Sequence, residues 1–541
     1  LLRLTLTATF LLAMLGHPGL TEQAAAQSTL ASTTEKPIKN IILLIGDGMG
    51  PQQIGLLLSY AHLATESEVP NRTPAIEQLA EQGRIALVRT EPHGALVVDS
   101  AAAATQLATG QKAGSEMIGL NYLGDRAPTV LEIAKQQGKS TGLVSDTRIT
   151  HATPAAFAAH QPHRSRENEI AVDLLENQVD VLLSGGARHW LPQMVNNRQS
   201  AAYASAVQMT AGRINVSSKR HDNRNLLLEA RNDYQLVFDR FSLSGLQQGR
   251  VLGLFANSEM SDAMAERQNS KAGNRSQPTL AEMTSKSLEL LSQNQQGFFL
   301  MVEGGQIDWA GHNNDAGTLL QEMLRFDRAV HTVLQWAKTR QDTLVLLTAD
   351  HETGGFGLSY SGSPLPEPRQ LTGAGFAGQK FAPHFNFAAR KKLDQLAAQK
   401  KSYYQIFQEF DALSKAERTP EKLKEIVNLV TSFQITTADA VAILTREMNR
   451  QHQADHKFLG SHTVPKVDDF SEFYVYGENS RMNLLGRKLA AQQNTVWATG
   501  THTNTPVLLI AYGPAPATER FQGMLHSTDV GRKLIHLVRG N

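Results

Sequence analysis

Residues 41–50 read IILLIGDGMG: five consecutive aliphatic residues, then a glycine-rich turn with Asp47 inside it. An unbroken aliphatic run of this length fits a strand buried on both faces. A glycine-rich turn after a strand invites a dinucleotide-binding reading. The G-x-G-x-x-G spacing fails, however, because the third glycine position counted from Gly46 holds Pro51. An acid within the turn would also repel a cofactor phosphate, so Asp47 suits a metal ion better.

Six more apolar runs follow: Gly142–Ser145, Val181–Ser184, Val251–Phe255, Phe298–Val302, Leu344–Thr348 and Val507–Ala511. Helical segments separate them. The alternation predicts an α/β fold with a mostly parallel central sheet sandwiched by helices. Sites in such folds form beyond the C-terminal ends of the strands. Asp47, Glu303 and Asp350 each fall one or two residues after an apolar run, which would bring distant residues to one edge.

The predicted catalytic domain occupies residues 36–360 and closes with 496–541. Between them, 361–495 starts Gly/Pro/Ser-rich, turns polar and reads as a mainly helical insertion. Thr419-Pro420-Glu421 has the form of an N-cap with proline at the first helical position, and Thr436 or Thr437 can cap the next helix. A second polar stretch, about 191–249, reads as a smaller insertion.

The 541 residues carry 52 Lys+Arg against 51 Asp+Glu, a net charge of +1, so global charge points neither to nucleic acid nor to an anionic membrane. There is no cysteine, which excludes disulfides and thiolate metal sites. Arg3, the apolar run Leu4–Leu15 and the small residues Ala24-Ala25-Ala26 predict a signal peptide over 1–26 and a periplasmic or secreted protein. The competing reading is an uncleaved anchor, for which the run is short. No later segment is apolar enough to span a membrane.

The chemistry centres on Asp99-Ser100, which opens the alanine-rich stretch VVDSAAAATQLATG (97–110). A serine hydroxyl needs a base or a metal to become nucleophilic. There is no G-x-S-x-G elbow. There are instead Glu303, Asp308 and His312 in FFLMVEGGQIDWAGHNND, Asp350 and His351 in TLVLLTADHETGGFG, and His502 just before the last strand. Asp308 and His312, four apart, can share one side of a helical turn or a tight loop. Oxygen and nitrogen ligands of this kind suit Zn²⁺, and Mn²⁺ or Co²⁺ also accept them. One such Asp is usually a cap and one such His a core residue; the joint pattern beside a serine points to metal-activated chemistry. His452 and His456, with Asp455 between them, offer an accessory metal site or, as the favoured reading, a solvated polar helix.

These motifs resemble the alkaline phosphatase family. The resemblance covers about residues 38–357 and 497–514, through IGDGMG, DSAAAATQLATG, THATPAAFAAH, EGGQIDWAGH, TADHETGG and the His502 segment ending in AYGP. It implies Ser100 as nucleophile, one Zn²⁺ on Asp308, His312 and His502, a second on Asp47, Asp350 and His351, and a Mg²⁺ on Asp47, Glu303 and Thr153. It further implies that Arg164 clamps phosphate, oriented by Asp99, with Arg166 a nearby rival. Small phosphomonoesters are then the substrates, and a homodimer the expected assembly. Two positions depart from the best-known bacterial pattern. His151 stands where that pattern has an Asp near Mg²⁺, and Trp309 where it has a Lys near phosphate. The His/Trp pair is similar to that of some marine and cold-active members. It puts third-site occupancy in question and removes one cationic contact. Other expectations weighed against monoester hydrolysis are phosphodiester or phosphonate cleavage, sulfate ester cleavage and a non-catalytic metal-binding role.

Overall fold

The computed structural model describes residues 37–540, so the expected leader, residues 1–26, lies outside the described residues. The strand expected at Ile41 is β1 (Asn40–Gly46), buried at every position. It lies at the middle of a ten-stranded sheet. The other strands are β2 (Arg84–Arg89), β3 (Ser140–Arg148), β4 (Val181–Gly185), β5 (Gln235–Val237), β6 (Val251–Leu254), β7 (Phe298–Gly304), β8 (Thr343–Thr348), β9 (Val507–Tyr512) and β10 (Gly523–His526). Their spatial order is β10-β2-β9-β8-β1-β7-β3-β4-β6-β5. All neighbours run parallel except β9, which is antiparallel to both β2 and β8. The fold is therefore α/β with a mostly parallel sheet between helices.

Register aligns the site. Ile45 of β1 lies opposite Glu303 of β7 and Thr348 of β8. The chain therefore leaves three adjacent strands at one level, with Asp47, Glu303 and Asp350 at the same edge. The reversal of β9 explains His502. This residue precedes its strand, but an antiparallel strand starts where its parallel neighbours end. His502 and Thr503 then pair with Thr353 and Glu352 in a short ladder just past β8.

Helix α1 (Ser100–Thr109) is buried throughout, and Gly531 of the helix Ser527–Val538 lets the two helices pack closely at Gln106 and Leu107. Helix α2 (Gln306–His312) leaves β7 and carries Asp308, Trp309 and His312. Helix α3 (Ala316–Ala337) then packs against the helix Leu280–Leu291 and is capped by Asp315.

Residues 361–390 form irregular chain with a two-stranded ladder of Arg369–Gln370 and Lys380–Phe381. Helices follow at Lys391–Ala397, Tyr403–Ala412, Pro420–Val430 and Thr437–Leu444. Thr419 and Thr436 cap the last two through their side chains. A hairpin pairs Arg446–Met448 with Thr463–Pro465, and α4 (Ser480–Gln493) returns the chain to the sheet. This region is tied to the rest: Asp315 accepts from the Gln399 side chain at 2.9 Å and the Tyr403 amide at 2.7 Å. From Pro37 onward the chain packs as one compact unit.

The expected helix around His452 and His456 is not formed. His456 Nδ1 accepts the amides of Phe458 and Leu459, while His452 stacks on His462 with ring centroids 4.3 Å apart. Side-chain capture of local amides competes with helical hydrogen bonding, and here it makes a turn.

Candidate active site

Asp99 is the N-cap of α1. Its carboxylate accepts the amides of Ala101 at 3.1 Å and Ala102 at 3.3 Å, and that of Glu116 at 2.8 Å. Two amides of the first helical turn are thus satisfied by the cap. Ser100, the first helical residue, is only 1% exposed, and its Oγ lies 3.2 Å from His351 Nε2. Arg164 reaches the same place from the loop after the Ala152–Ala155 turn. Its Nη1 donates to Asp99 Oδ2 at 3.1 Å and its Nη2 lies 3.2 Å from His151 Nε2. Burial opposes the guanidinium charge, but Asp99 and Asp47 hold its pKa above the ordinary value. Arg166 is exposed and does not line the cavity.

Three groups of ligand-type atoms converge around Ser100, each within 4.8 Å of one another: Asp308/His312/His502, Asp47/Asp350/His351 and Asp47/His151/Glu303. In the first, His312 Nε2 lies 3.1 Å from Asp308 Oδ2 and 3.2 Å from His502 Nε2. His312 Nδ1 is 2.8 Å from the carbonyl of Gly500, and His502 Nδ1 is 2.8 Å from that of Val98. A carbonyl only accepts, so each Nδ1 carries the proton and each Nε2 presents a lone pair. Two lone pairs that face each other repel unless a proton or a metal cation lies between them, and, against burial, Asp308 holds the His312 pKa above its ordinary value. In the second group, His351 Nε2 lies 3.4 Å from Asp47 Oδ1 and 3.2 Å from Asp350 Oδ2. The His351 and His502 rings stack at 3.6 Å, which sets the two groups side by side. In the third, Glu303 Oε2 accepts from Ser145 and Thr147, and Thr153 Oγ1 donates to Asp47 Oδ2 at 3.4 Å.

The donor set fits divalent cations. Asp47 Oδ1, Asp350 Oδ2 and Glu303 Oε1 are buried without a hydrogen bond in the protein. Orphaned buried polar atoms are costly, and here they cluster. Burial, reinforced by Asp350, Asp308 and Glu303, pushes the Asp47 carboxyl well above its ordinary range. Burial and the Asp308 charge push Asp350 up to about 8, and burial pushes Glu303 up to about 7 despite its bond from Ser145. Burial also opposes ionisation of Asp308, but His312 and His502 hold it well below the usual range. Burial and positive neighbours push His351 and His151 down. Asp47, Asp350 and Glu303 disfavour one another's charge and lack positive charge, which cations would supply.

Local backbone makes this packing achievable. Gly48 has φ +75°, and a Cβ there would stand 2.7 Å from Asp308 Cα and 2.8 Å from Thr353 Oγ1. Only glycine lets the first turn press against α2.

Trp309 lines the cavity with its ring edge-on to His151, centroids 5.9 Å apart. The cavity holds about 1090 Å³ and runs from Ser100 to residues of the 361–495 region. Sequence reasoning did not single out Thr353, whose hydroxyl bonds Asp308 Oδ1 and lies 3.2 Å from His351 Nδ1, touching both groups. Nor did it single out Ser145, Thr147, Tyr476 or Asn483. Asn483 donates to the His312 carbonyl at 2.6 Å, and Tyr476 packs edge-on to the His312 ring. The sole signal for Thr353 was its place in the TADHETGG motif.

The alkaline phosphatase family model matches residues 38–539. Alkaline phosphatase 4 of Bacillus subtilis is 30% identical, over 96% of this chain and 92% of its own. The crystal structure of a cold-active alkaline phosphatase from a psychrophilic Shewanella superposes with a TM-score of 0.63 at 26% identity, covering 92% of this chain and 99% of that one. The alkaline phosphatase of Thermus thermophilus shares the fold with a TM-score of 0.72 at 22% identity, covering 95% of each chain. A match that runs from the first buried strand to the last helix, and encloses every group converging on Ser100, leaves one assignment: the chain belongs to the alkaline phosphatase family of hydrolases.

Proposed function

We propose that this protein hydrolyses phosphate monoesters through a phosphoserine on Ser100. The observation that carries the reading is the set of orphaned carboxylate oxygens of Asp47, Asp350 and Glu303, packed with His351 near a serine whose Oγ lies 3.2 Å from that imidazole. Asp308, His312 and His502 would hold one Zn²⁺, and Asp47, Asp350 and His351 the other. Asp47, Glu303 and Thr153 would hold Mg²⁺, with His151 beside them. Such ions supply positive charge that acidifies a hydroxyl and stabilises a departing alkoxide.

The chain's own residues do the rest. Asp99 fixes one side of the Arg164 guanidinium, and the remaining N–H groups grip two phosphoryl oxygens as a planar fork. Ser100 Oγ, held at the start of a buried helix, forms a bond to phosphorus as the bond to the alcohol oxygen breaks. Water then cleaves the Ser100–phosphate bond and regenerates the hydroxyl. Trp309 and the cavity walls exclude bulk water and accommodate the alcohol portion.

The same reading takes residues 1–26 as a leader for a periplasmic or secreted protein, 361–495 as an insertion in the catalytic domain, and a homodimer as the assembly. Among the described residues no helix is long and apolar enough to cross a membrane. The test compares p-nitrophenyl phosphate with its bis ester in Zn²⁺ and Mg²⁺, followed by acid quenching. Preferential monoester turnover and a phosphopeptide containing Ser100 are expected. Label on another residue, or preference for the diester, would overturn the proposal.

A further inference from the structure

Lys457 sits in the turn between the strands Arg446–Met448 and Thr463–Pro465, and it lines the same cavity as Ser100 and Arg164. The turn is held there by an aromatic relay. Phe458 packs edge-on to Tyr476, centroids 5.1 Å apart, and Tyr476 packs edge-on to His312 at 4.8 Å. The Lys457 ammonium lies 4.8 Å from the centre of the Phe458 ring and has no carboxylate partner among the described residues.

The other Arg and Lys side chains on the cavity wall are engaged. Arg148 gives Nε and Nη2 to Glu167 at 2.8 and 3.0 Å, and Arg164 gives Nη1 to Asp99. Partial burial and the charge of Arg148, with smaller contributions from Arg164 and Arg188, push the Lys457 pKa below the ordinary lysine value against the pull of Glu167. The anion acting on Lys457, Glu167, is already bound by Arg148, so the lysine gains from an anion that arrives from outside. Lys457 is exposed whereas Ser100 is buried, so this unpaired charge marks the solvent side of the cavity. The cavity volume exceeds what one phosphoryl group fills.

We propose that Lys457, beside Arg148, forms a second anion subsite that takes a negatively charged group on the alcohol portion of the substrate. The preferred phosphomonoesters are then those whose leaving alcohol carries a carboxylate or a further phosphate. The proposal rests on the phosphomonoesterase reading above.

The test pairs glycerol 3-phosphate with 3-phosphoglycerate, which differ by one carboxylate, on the metal-supplemented full chain. Wild type is expected to favour 3-phosphoglycerate in kcat/KM. Lys457→Gln should shrink that ratio about fivefold, the scale of a partly exposed ion pair, through KM rather than kcat. Lys457→Arg should keep it, and Lys457→Glu should lower it further. An unchanged ratio in Lys457→Gln, or an equal fall for both substrates, overturns the subsite while leaving the phosphatase reading intact. Hydrolysis of neither substrate by wild type would overturn that reading, and the subsite with it.

Discussion

Arg164 Nη2 donates to His151 Nε2 at 3.2 Å. A guanidinium never accepts, so a neutral His151 must carry its proton on Nδ1, the atom buried beside Asp47 and Glu303. While this bond lasts, Nδ1 can donate but cannot ligate. The imidazole therefore supports Arg164, the proposed phosphate clamp, and would withhold a ligand from the neighbouring candidate cation site.

His151→Asp should reverse that allocation. A carboxylate would pair with Arg164 and also offset the charge of Mg²⁺, which an imidazole cannot do. Calorimetric Mg²⁺ titration should show tighter binding in the variant, and activity should depend more on added Mg²⁺. Overlaid titrations of variant and wild type would refute this. Because Trp309 touches His151, His151→Asp with Trp309→Lys should differ from the sum of the single changes.

Arg164→Ala should lower kcat/KM for monoesters by roughly ten- to hundredfold, since a charged bidentate contact is worth about 1.5–3 kcal/mol. Diesters, with less charge to hold, should suffer less. Arg166→Ala should stay near wild type because Arg166 faces solvent. Steady-state kinetics on all three proteins decides; the reverse pattern would show that the clamp is Arg166.

Thr353→Val removes the hydroxyl that touches Asp308 and His351 and nearly preserves volume. Loss of such a supporting bond weakens metal binding by about tenfold or more. Competition with a zinc-binding dye should show weaker affinity at both proposed zinc sites. His312→Ala and His502→Ala should instead deplete one metal and His351→Ala the other. Full loading of all these variants would refute the assignment. Chelation should lower Tm, and added Zn²⁺ should restore it.

Glu132 supplies a stability prediction away from the site. It closes a capping box with Thr129 at the helix Val130–Gln136, accepts from Arg126 at 2.7 Å, and lies 3.0 Å from His160 Nε2. Burial opposes its charge, yet the bonds from His160, the Thr129 amide and Arg126 hold its pKa at about 2. A depressed acid stabilises the fold above its unfolded pKa, and that stability is lost as pH falls through the folded value. Glu132→Gln keeps a capping side chain but no charge. It should cost about 2 kcal/mol near neutrality, after discounting for solvent screening, and the deficit should fade between about pH 4.5 and pH 2. Urea unfolding of both proteins across that range measures it; a constant deficit would show that the charge contributes nothing.

Seven of the ten sheet strands were legible because each is an aliphatic run buried on both faces. Arg84–Arg89 was not, since its apolar run Ile85–Val88 is only four residues long, flanked by arginines, and leaves Ile85 and Leu87 exposed. Gln235–Val237 and Gly523–His526 are short edge strands with little apolar signal. The placement of Asp47, Glu303 and Asp350 followed from strand ends alone. That of His502 needed the reversal of β9, which no local pattern encodes. Supports such as Thr353, Tyr476 and Asn483 stayed hidden because a hydroxyl, phenol or amide gains its role only from what the fold sets beside it. The turn at His456 shows the converse: the i, i+4 spacing was real, but local amide capture outweighed the helix.

The reversed strand also sets an order of assembly. β2 pairs only with β9 and β10, so residues 84–89 have no place in the sheet until residues beyond 506 exist. A nascent chain that ends near residue 495 already contains Ser100, Asp308 and His312 but lacks His502, and nothing yet joins β2 to β8. Contacts spanning over 400 positions make closure the slow, late event of folding. The proposed site is thus assembled only when the stretch containing His502 and β9 joins the sheet, whatever part of it has folded before.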